Sequence, residues 1–262
     1  MKFCSIRSGS SGNCSYIELS GKKFLIDVGL SGRFIQKEIE SIDEKMSQID
    51  AILLTHEHKD HSSAAGILSR RFNIPIYANE KTHMEISKFI GKVSEKNIRF
   101  LKTNSLNEVL GVDIETIGLK HDCKEAIGFA FYEKNKKLSY ITDTGELNSS
   151  MMDRIKDSNL YFLEANYDPQ MLINGPYSPK LKGRVSGKFG HLSNEETARA
   201  LLDLLRGDGE KVYLGHVSKI NNSEDHSYET VKAILEGEGL KIDDTLSLKV
   251  ASRYYRGELV EV

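Results

Sequence analysis

Short apolar runs, separated by glycine, serine or charged turns, recur from one end of this chain to the other. Alternating positions predict strands over residues 2–7, 14–19 and 22–27, with Ser20-Gly21 as a tight hairpin connection between the last two. Ser31 is a natural N-cap for an amphipathic helix carrying Phe34, Ile35, Ile39 and Ile42 on one side. Residues 49–54 read as a buried strand, Ala64 to Phe72 as a helix, 74–77 as a strand and 80–90 as another helix. Two or three strands are expected across 98–117. Strands at 127–132 and 138–141 follow, joined by the charged turn Lys134-Asn135-Lys136-Lys137. The second half predicts a helix at 149–156, a strand at 160–163, helical residues around 168–174 and a strong helix at 194–206. It ends with a strand at 212–214, a helix at 228–236 and strands at 247–250 and 258–260. This alternation of sheet-rich and helical stretches fits an α/β (α+β) fold of two packed sheets with helices outside, rather than a doubly wound parallel sheet. No linker or low-complexity stretch divides the chain, so residues 1–262 are expected to form a single domain.

Composition narrows the function classes. Hydrophobic residues make up 39% and charged ones 28%, which supplies a core and a soluble surface. The net charge of −2 gives no global attraction to nucleic acid or anionic lipid, so a phosphate-binding surface has to be local. No apolar run approaches the ~20 residues that cross a bilayer, and Met1 to Arg7 has no secretory apolar core. Cys4, Cys14 and Cys123 form no Cys-x-x-Cys pair, and a reducing cytoplasm fits them best. Cys4 and Cys14 fall in strands as small buried hydrophobes; Cys123, two residues after His121, has a place near a metal as its alternative role.

The chemistry concentrates in Thr55-His56-Glu57-His58-Lys59-Asp60-His61, directly after the apolar run Ile49–Leu54. Three imidazoles and a carboxylate on one stiff turn suit zinc and its first-row neighbours. A histidine-rich polar loop is the plainer alternative, but a cluster capping a hydrophobic strand argues for a metal or catalytic site. His121, Asp143 and His216 repeat that placement just beyond apolar strands, as in Tyr140-Ile141-Thr142-Asp143 and Tyr213-Leu214-Gly215-His216. Asp27 likewise ends the run Phe24-Leu25-Ile26.

The histidine cluster resembles the signature of the metallo-β-lactamase fold superfamily of metallo-hydrolases. Further motifs resemble its YycJ/WalJ-like branch, close to the tRNase Z and RNase J nucleases: Ser8-Gly9-Ser10-Ser11-Gly12-Asn13, Leu25-Ile26-Asp27-Val28-Gly29, Thr142-Asp143-Thr144-Gly145, Gly190-His191-Leu192-Ser193-Asn194 and Leu214-Gly215-His216-Val217-Ser218. The resemblance implies a four-layer αββα sandwich. It implies two divalent ions, Zn²⁺ or Mn²⁺ with Fe or Ni as alternatives. His56, His58 and His121 would hold the first and Asp60, His61 and His216 the second, with Asp143 bridging them. Asp27 would orient the histidine loop by hydrogen bonds. Two ions at ~3.5–4 Å would bring the shared water toward neutral pKa and clamp a phosphodiester, with Asp60 also orienting or deprotonating that water.

His191 stands just before a helix for which Ser193 and Glu196 spell a capping box. A histidine merely outside a capped helix is one reading. A group that binds or protonates the scissile phosphate is the other, and the resemblance favours it. Ser11 and Asn13 in a loop of unhindered N–H groups, the basic positions Lys182 and Arg184 in the run Lys180 to Lys188, and Ser193 are the candidate substrate contacts. The sequence departs from the family at Tyr167, where histidine is expected, and at Ala126, where proline is common. His83 and His226 lie in polar surroundings and are expected at the surface.

The resulting expectation is a dinuclear metal-dependent phosphodiesterase or nuclease, DNA-exonuclease-like, acting on DNA rather than RNA, cytoplasmic and not membrane-bound. A homodimer would complete an open groove. A thioester or lactone hydrolase of the glyoxalase II kind is the alternative, disfavoured because residues 246–262 read as strands rather than a helical substrate domain. A binding protein with a structural metal is the third reading, and the number of donors argues against it.

Overall fold

The computed structural model describes all 262 residues. Its strands are β1 (Lys2–Arg7), β2 (Cys14–Leu19), β3 (Lys22–Ile26), β4 (Ala51–Leu53), β5 (Ile76–Ala78), β6 (Ile98–Phe100), β7 (Leu106–Val109), β8 (Val112–Gly118), β9 (Ile127–Glu133), β10 (Lys136–Ile141), β11 (Leu160–Glu164), β12 (Glu210–Gly215), β13 (Leu246–Val250) and β14 (Val260–Glu261). The helices are α1 (Gly32–Glu40), α2 (Lys59–Ser62), α3 (Ala65–Phe72), α4 (Glu80–Ile86), α5 (Ser149–Ile155), α6 (Pro169–Asn174), α7 (Pro179–Val185), α8 (Asn194–Leu204) and α9 (Glu224–Gly237). The strands form two seven-stranded sheets, in the orders β14-β1-β2-β3-β4-β5-β6 and β13-β12-β11-β10-β9-β8-β7.

Alternation along the strands makes three apolar layers from these two sheets. Phe24, Ile26, Ala51 and Leu53 point inward to meet Phe129, Phe131, Leu160 and Phe162 of the other sheet. Phe162 stacks on Tyr140 with ring centroids 4.3 Å apart. Leu25, Ile52 and Leu54 face the opposite way and bury Ile35, Ile39, Leu68 and Ile86 of α1, α3 and α4. On the second sheet Tyr161, Leu163, Val212 and Leu214 cover Ile155, Ala198, Leu201, Val231 and Leu235 of α5, α8 and α9. Helix, sheet, sheet, helix is therefore the four-layer αββα sandwich expected.

Several boundaries differ from the sequence reading. The Lys134–Lys137 turn is only Lys134-Asn135, because Lys136 and Lys137 already pair with Glu133 and Tyr132. Helix α9 starts at Glu224, where the Ser223 side chain accepts from His226 N–H. Helix α7 falls where the sequence suggested a glycine-spaced loop. Ser178 caps it and Pro179 opens it, yet it buries no residue, so it left no apolar stripe to read. His83 is not a surface residue. It lies on the inner side of α4, its ring edge-on to Phe100 and bonded through Nε2 to the Arg99 carbonyl at 2.9 Å. Its charged neighbours hid that. His226 is exposed and bonded to Asp168 at 3.0 Å.

β3 to β6 run parallel to one another, as do β10 to β13. Their carboxyl ends share one edge of the sandwich, and the chain leaves it through the segments that carry the site.

Candidate metal centre

Three residues that follow strands directly or after one residue adopt left-handed backbone: Asp27 after β3 (φ 58°), Asp143 after β10 (φ 55°) and His216 after β12 (φ 50°). That region is uncommon outside glycine and costs on the order of 1–3 kcal/mol where a side chain is held in it. The sharp turn it makes sends each side chain back over the sheet edge.

The first histidine turn is fixed by long-range backbone bonds. His61 O accepts from Val28 N–H at 2.7 Å, and Asp60 O accepts from Asn13 N–H at 2.7 Å. Asp27, fully buried, accepts from Thr55 N–H at 2.9 Å, from the Thr55 hydroxyl and from His61 Nδ1 at 2.7 Å. Its position matches the orienting part expected of it.

Four donor groups close up at the edge: His56 with His58 and His121; Asp60 with His61 and His216; His56 with His61 and Asp143; and Asp143 with Glu164, His191 and His216. Within each, one donor atom per residue lies no more than 4.8 Å from the others. All seven positions named from the sequence thus converge. Asp143 sits among them, with Oδ2 at 3.1 Å from His61 Nε2 and Oδ1 at 3.2 Å from His216 Nδ1 and 3.7 Å from His121 Nε2. Asp60 Oδ2 is 3.6 Å from His61 Nε2 and 3.7 Å from His216 Nε2.

The residues fit a divalent cation on two observations. Nε2 of His56 and Nε2 of His216 are buried and have no hydrogen-bond partner in the protein, a state buried polar nitrogens rarely tolerate. Meanwhile His56 Nδ1 meets the Thr55 hydroxyl at 3.0 Å, which leaves its Nε2 free toward the centre, and His121 Nδ1 donates to the Gly190 carbonyl at 3.1 Å, which turns its Nε2 toward Asp122 at 3.3 Å and Asp143 at 3.7 Å. The histidine and aspartate clusters make this a site for divalent metal.

The electrostatics agree. Burial pulls the His216 imidazole down, but Asp143, Asp60 and Glu164 outweigh it and raise its pKa to about 10. Burial likewise opposes charge on His61, and Asp143 and Asp27 again win, holding it well above the usual range. Burial pushes Asp143 up, yet His216 and His61 keep it well below the ordinary carboxylate. At His56 and His121 burial outweighs the attraction of Asp143 and holds both imidazoles low. Low-pKa imidazoles are neutral ligands at ordinary pH, and the carboxylates supply the negative field a cation needs.

Glu164 joins the centre although no motif in the sequence marks it. It is fully buried at the end of β11, where it accepts from Thr144 N–H at 2.6 Å, from Leu192 N–H and from His191 Nδ1 at 3.0 Å. A charged residue ending the apolar run Leu160–Leu163 was the signal, the same one that marked Asp27 and Asp143. Burial raises its pKa, but His191 outweighs that and keeps it ionised.

The substrate candidates are scattered. The Ser8–Asn13 loop does not stand open as an anion cradle: Gly9 N–H goes to Asn13 Oδ1, Gly12 N–H to Gly9 O and Asn13 N–H to Asp60 O. Asn13 is buried, its Nδ2 3.0 Å from His61 Nε2, while Ser11 is exposed. Ser193 is buried in its capping box with Glu196. Lys182 donates to the Ile173 carbonyl at 2.6 Å. Arg184 alone of these five lines the cleft of about 310 Å³ beside His191 and His216, ion-paired to Asp122. Cys123 is half-buried, outside every donor group, with its thiol pushed up by burial. Tyr167 is buried, its carbonyl accepting from Asn194 N–H at 2.9 Å.

Comparison with known proteins gives concordant results. The family described as the beta-lactamase superfamily domain matches residues 22–217. The exodeoxyribonuclease WalJ of Streptococcus pneumoniae strain D39 is 39% identical over 232 residues, 88% of this chain and 86% of that protein. The exodeoxyribonuclease YycJ of Bacillus anthracis is 32% identical over 248 residues, 95% of this chain and 94% of that protein. Among solved structures, the metallo-beta-lactamase fold protein YhfI from Bacillus subtilis superposes with a TM-score of 0.71, at 15% identity over 99% of each chain.

Proposed function

The chain belongs to the beta-lactamase superfamily, and on that premise we propose that it is a metal-dependent nuclease that hydrolyses DNA phosphodiesters from a strand end. The observation that carries this reading is the convergence of two histidine-rich donor groups on Asp143, with Glu164 and His191 alongside. The exodeoxyribonuclease names of WalJ and YycJ support DNA over RNA as the substrate.

In this reading the centre takes two ions, Zn²⁺ or Mn²⁺ before Fe or Ni. His56, His58 and His121 would hold one and Asp60, His61 and His216 the other, with Asp143 placed between the two donor groups. Bound ions would supply Lewis-acid charge to the phosphoryl oxygens and favour ionisation of the attacking water. Asp60, partly exposed at the rim, accepts a hydrogen bond from that water and orients it. Burial raises the Asp60 pKa but His216 and His61 outweigh it, so its carboxylate is ionised for the task. His191 has 18% of its side chain exposed, and Glu164 holds its Nδ1–H. Nε2 is then left to carry a proton to the leaving oxygen.

The names of both curated relatives, exodeoxyribonucleases, favour the diester over the thioester alternative. No helix is long and apolar enough to cross a membrane. Three free cysteines support a reducing cytoplasm, and a homodimer is the simplest extension of the groove. The test is direct. Protein loaded with Mn²⁺ or Zn²⁺ should degrade end-labelled DNA, and His58→Ala should not; equal activity in that variant ends the proposal.

A further inference from the structure

We propose that residues 251–257, which cross from β13 to β14, form a second contact for single-stranded DNA, with Tyr255 stacking on a base about four nucleotides from the scissile linkage. The inference rests on the nuclease reading above and adds to it a contact outside the metal centre, one that grips the body of the strand rather than its end.

Tyr16, Tyr140 and Tyr161 are buried, whereas Tyr254 and Tyr255 stand side by side with 58% and 74% of their surface exposed. Their ring centroids are 6.4 Å apart at 61°, so they do not stack on one another. The Arg253 guanidinium lies over Tyr254, 5.8 Å from its centroid, which leaves Tyr255 as the more open ring. The segment is no loose tip. Ser252 Oγ accepts from Tyr254 N–H at 3.0 Å and from Tyr255 N–H at 3.3 Å, and donates to Glu224 at 3.0 Å. Arg253 N–H is bonded to Glu224 at 3.0 Å and Gly257 N–H to the Ser5 carbonyl at 2.8 Å. Two rings held in water by such bonds, where burial would favour them, mark a surface that meets something else.

Its place on the fold says what. Ser252 O accepts from Ser8 N–H at 3.1 Å, and Ser8 Oγ accepts from His216 N–H at 2.8 Å, so the crossover is tied to the loop that carries a donor of the metal centre. Arg253 donates to the Val217 carbonyl on that same loop. Strand β13 is three places from β10, which delivers Asp143, and at ~4.8 Å per place that is about 14 Å along the rim. Stacked nucleotides advance ~3.4 Å each, so about four cover the interval. Arg253 and Arg256 give their guanidinium hydrogens to neutral oxygens, of Val217, Ser41 and Gly257, and Lys219 is exposed nearby. Glu224 is engaged within the crossover, while Asp225 beside it opposes phosphate, so base faces rather than the backbone carry the affinity. Every base offers a face to a tyrosine, but only where it is unpaired. A single strand therefore fits this surface and a duplex does not.

Fluorescence anisotropy on the metal-loaded protein, with phosphorothioate-linked oligonucleotides that resist cleavage, tests the contact. Tyr255→Ala should weaken a thymidine dodecamer at least about fivefold, the scale of one base–aromatic stack, and a dithymidylate too short to reach by less than about twofold. Tyr255→Trp should keep the dodecamer affinity. A dodecamer without bases, and a blunt duplex of the same length, should both be indifferent to Tyr255→Ala. Unchanged dodecamer binding in Tyr255→Ala overturns the contact, as do equal losses on the dithymidylate or the baseless strand. Equal loss on the duplex overturns its preference for a single strand. The nuclease reading is judged separately, with an ordinary phosphodiester dodecamer. A wild type that binds this strand without cleaving it sinks that reading and leaves the contact standing.

Discussion

Gly29 and Asp60, thirty-one residues apart, lie so close that a Cβ built on Gly29 would stand 1.6 Å from the Asp60 carbonyl oxygen and 2.7 Å from His61 N. The loop after β3 and the histidine turn are thus packed backbone to backbone. Val28 N–H to His61 O on one side and Gly29 N–H to Asn13 O on the other complete the brace. What aims the imidazoles is this contact, and it admits no side chain.

Gly29→Ala should therefore destabilise the protein by about 2–3 kcal/mol or more, the scale of overpacking against atoms that cannot rotate away. Because the displaced atoms belong to the histidine turn, bound metal should fall as well. Thermal denaturation and metal content by mass spectrometry read both. A variant with native melting temperature and full metal loading would show that the brace is not needed.

Asp27 works through hydrogen bonds rather than contact. Asp27→Asn keeps the shape and the bonds from Thr55, but removes the charge facing His61 Nδ1–H. Metal affinity should drop by about 10–100-fold, as for other groups that orient a ligand histidine. Competition against a chromophoric chelator measures it, and the folded far-ultraviolet dichroism spectrum should be unchanged.

Metal removal has its own signature. The unpartnered Nε2 atoms of His56 and His216 lie inside the fold, so only the native state offers the assembled site. Free metal at 1,000 times its dissociation constant should add about 4 kcal/mol to stability, and a chelator should remove it. The melting temperature should rise with the logarithm of metal concentration. Melting that ignores both additions would mean that the donors do not form a binding site.

The residues that converge at the sheet edge were legible because each lies just beyond an apolar strand, a local pattern that survives without knowledge of the fold. Glu164 obeys the same rule, but it stands in Leu163-Glu164-Ala165-Asn166-Tyr167 without a histidine beside it, and its partner His191 lies 27 residues on. Helix α7 was illegible for a different reason: a helix burying nothing has no hydrophobic period to betray it. The role of Asn13 depends on Asp60 and His61, 47 and 48 residues away, and no local pattern encodes such a pairing. Its short loop looked open only because the partners were out of sight.

Glu164→Gln tests the pair that the sequence concealed. The amide keeps the volume but no longer holds the charge of a protonated His191, so the proton transferred to the leaving group is less well stabilised. Turnover should fall by about 10²–10⁴-fold, the range of general acid–base catalysis, with metal content near normal. The loss should be greatest with a poor leaving group and small with p-nitrophenolate, which needs no proton. Equal losses on both would assign Glu164 a structural part, through its bonds to Thr144 and Leu192 N–H.

Ser193 distinguishes a cap from a substrate contact. Its side chain accepts from Glu196 N–H, and Glu196 answers by accepting from Ser193 N–H at 2.8 Å, so both partners sit within the first turn of α8. Ser193→Ala should lower stability by about 1 kcal/mol, the usual value of an N-cap, while KM for DNA stays within twofold, roughly the noise of a side chain that touches no ligand. Ser193→Asp, which can cap equally well and favours the helix dipole, should restore the melting temperature. If DNA phosphate met this hydroxyl, aspartate would instead repel it, and KM would rise in the variant that is the more stable of the two.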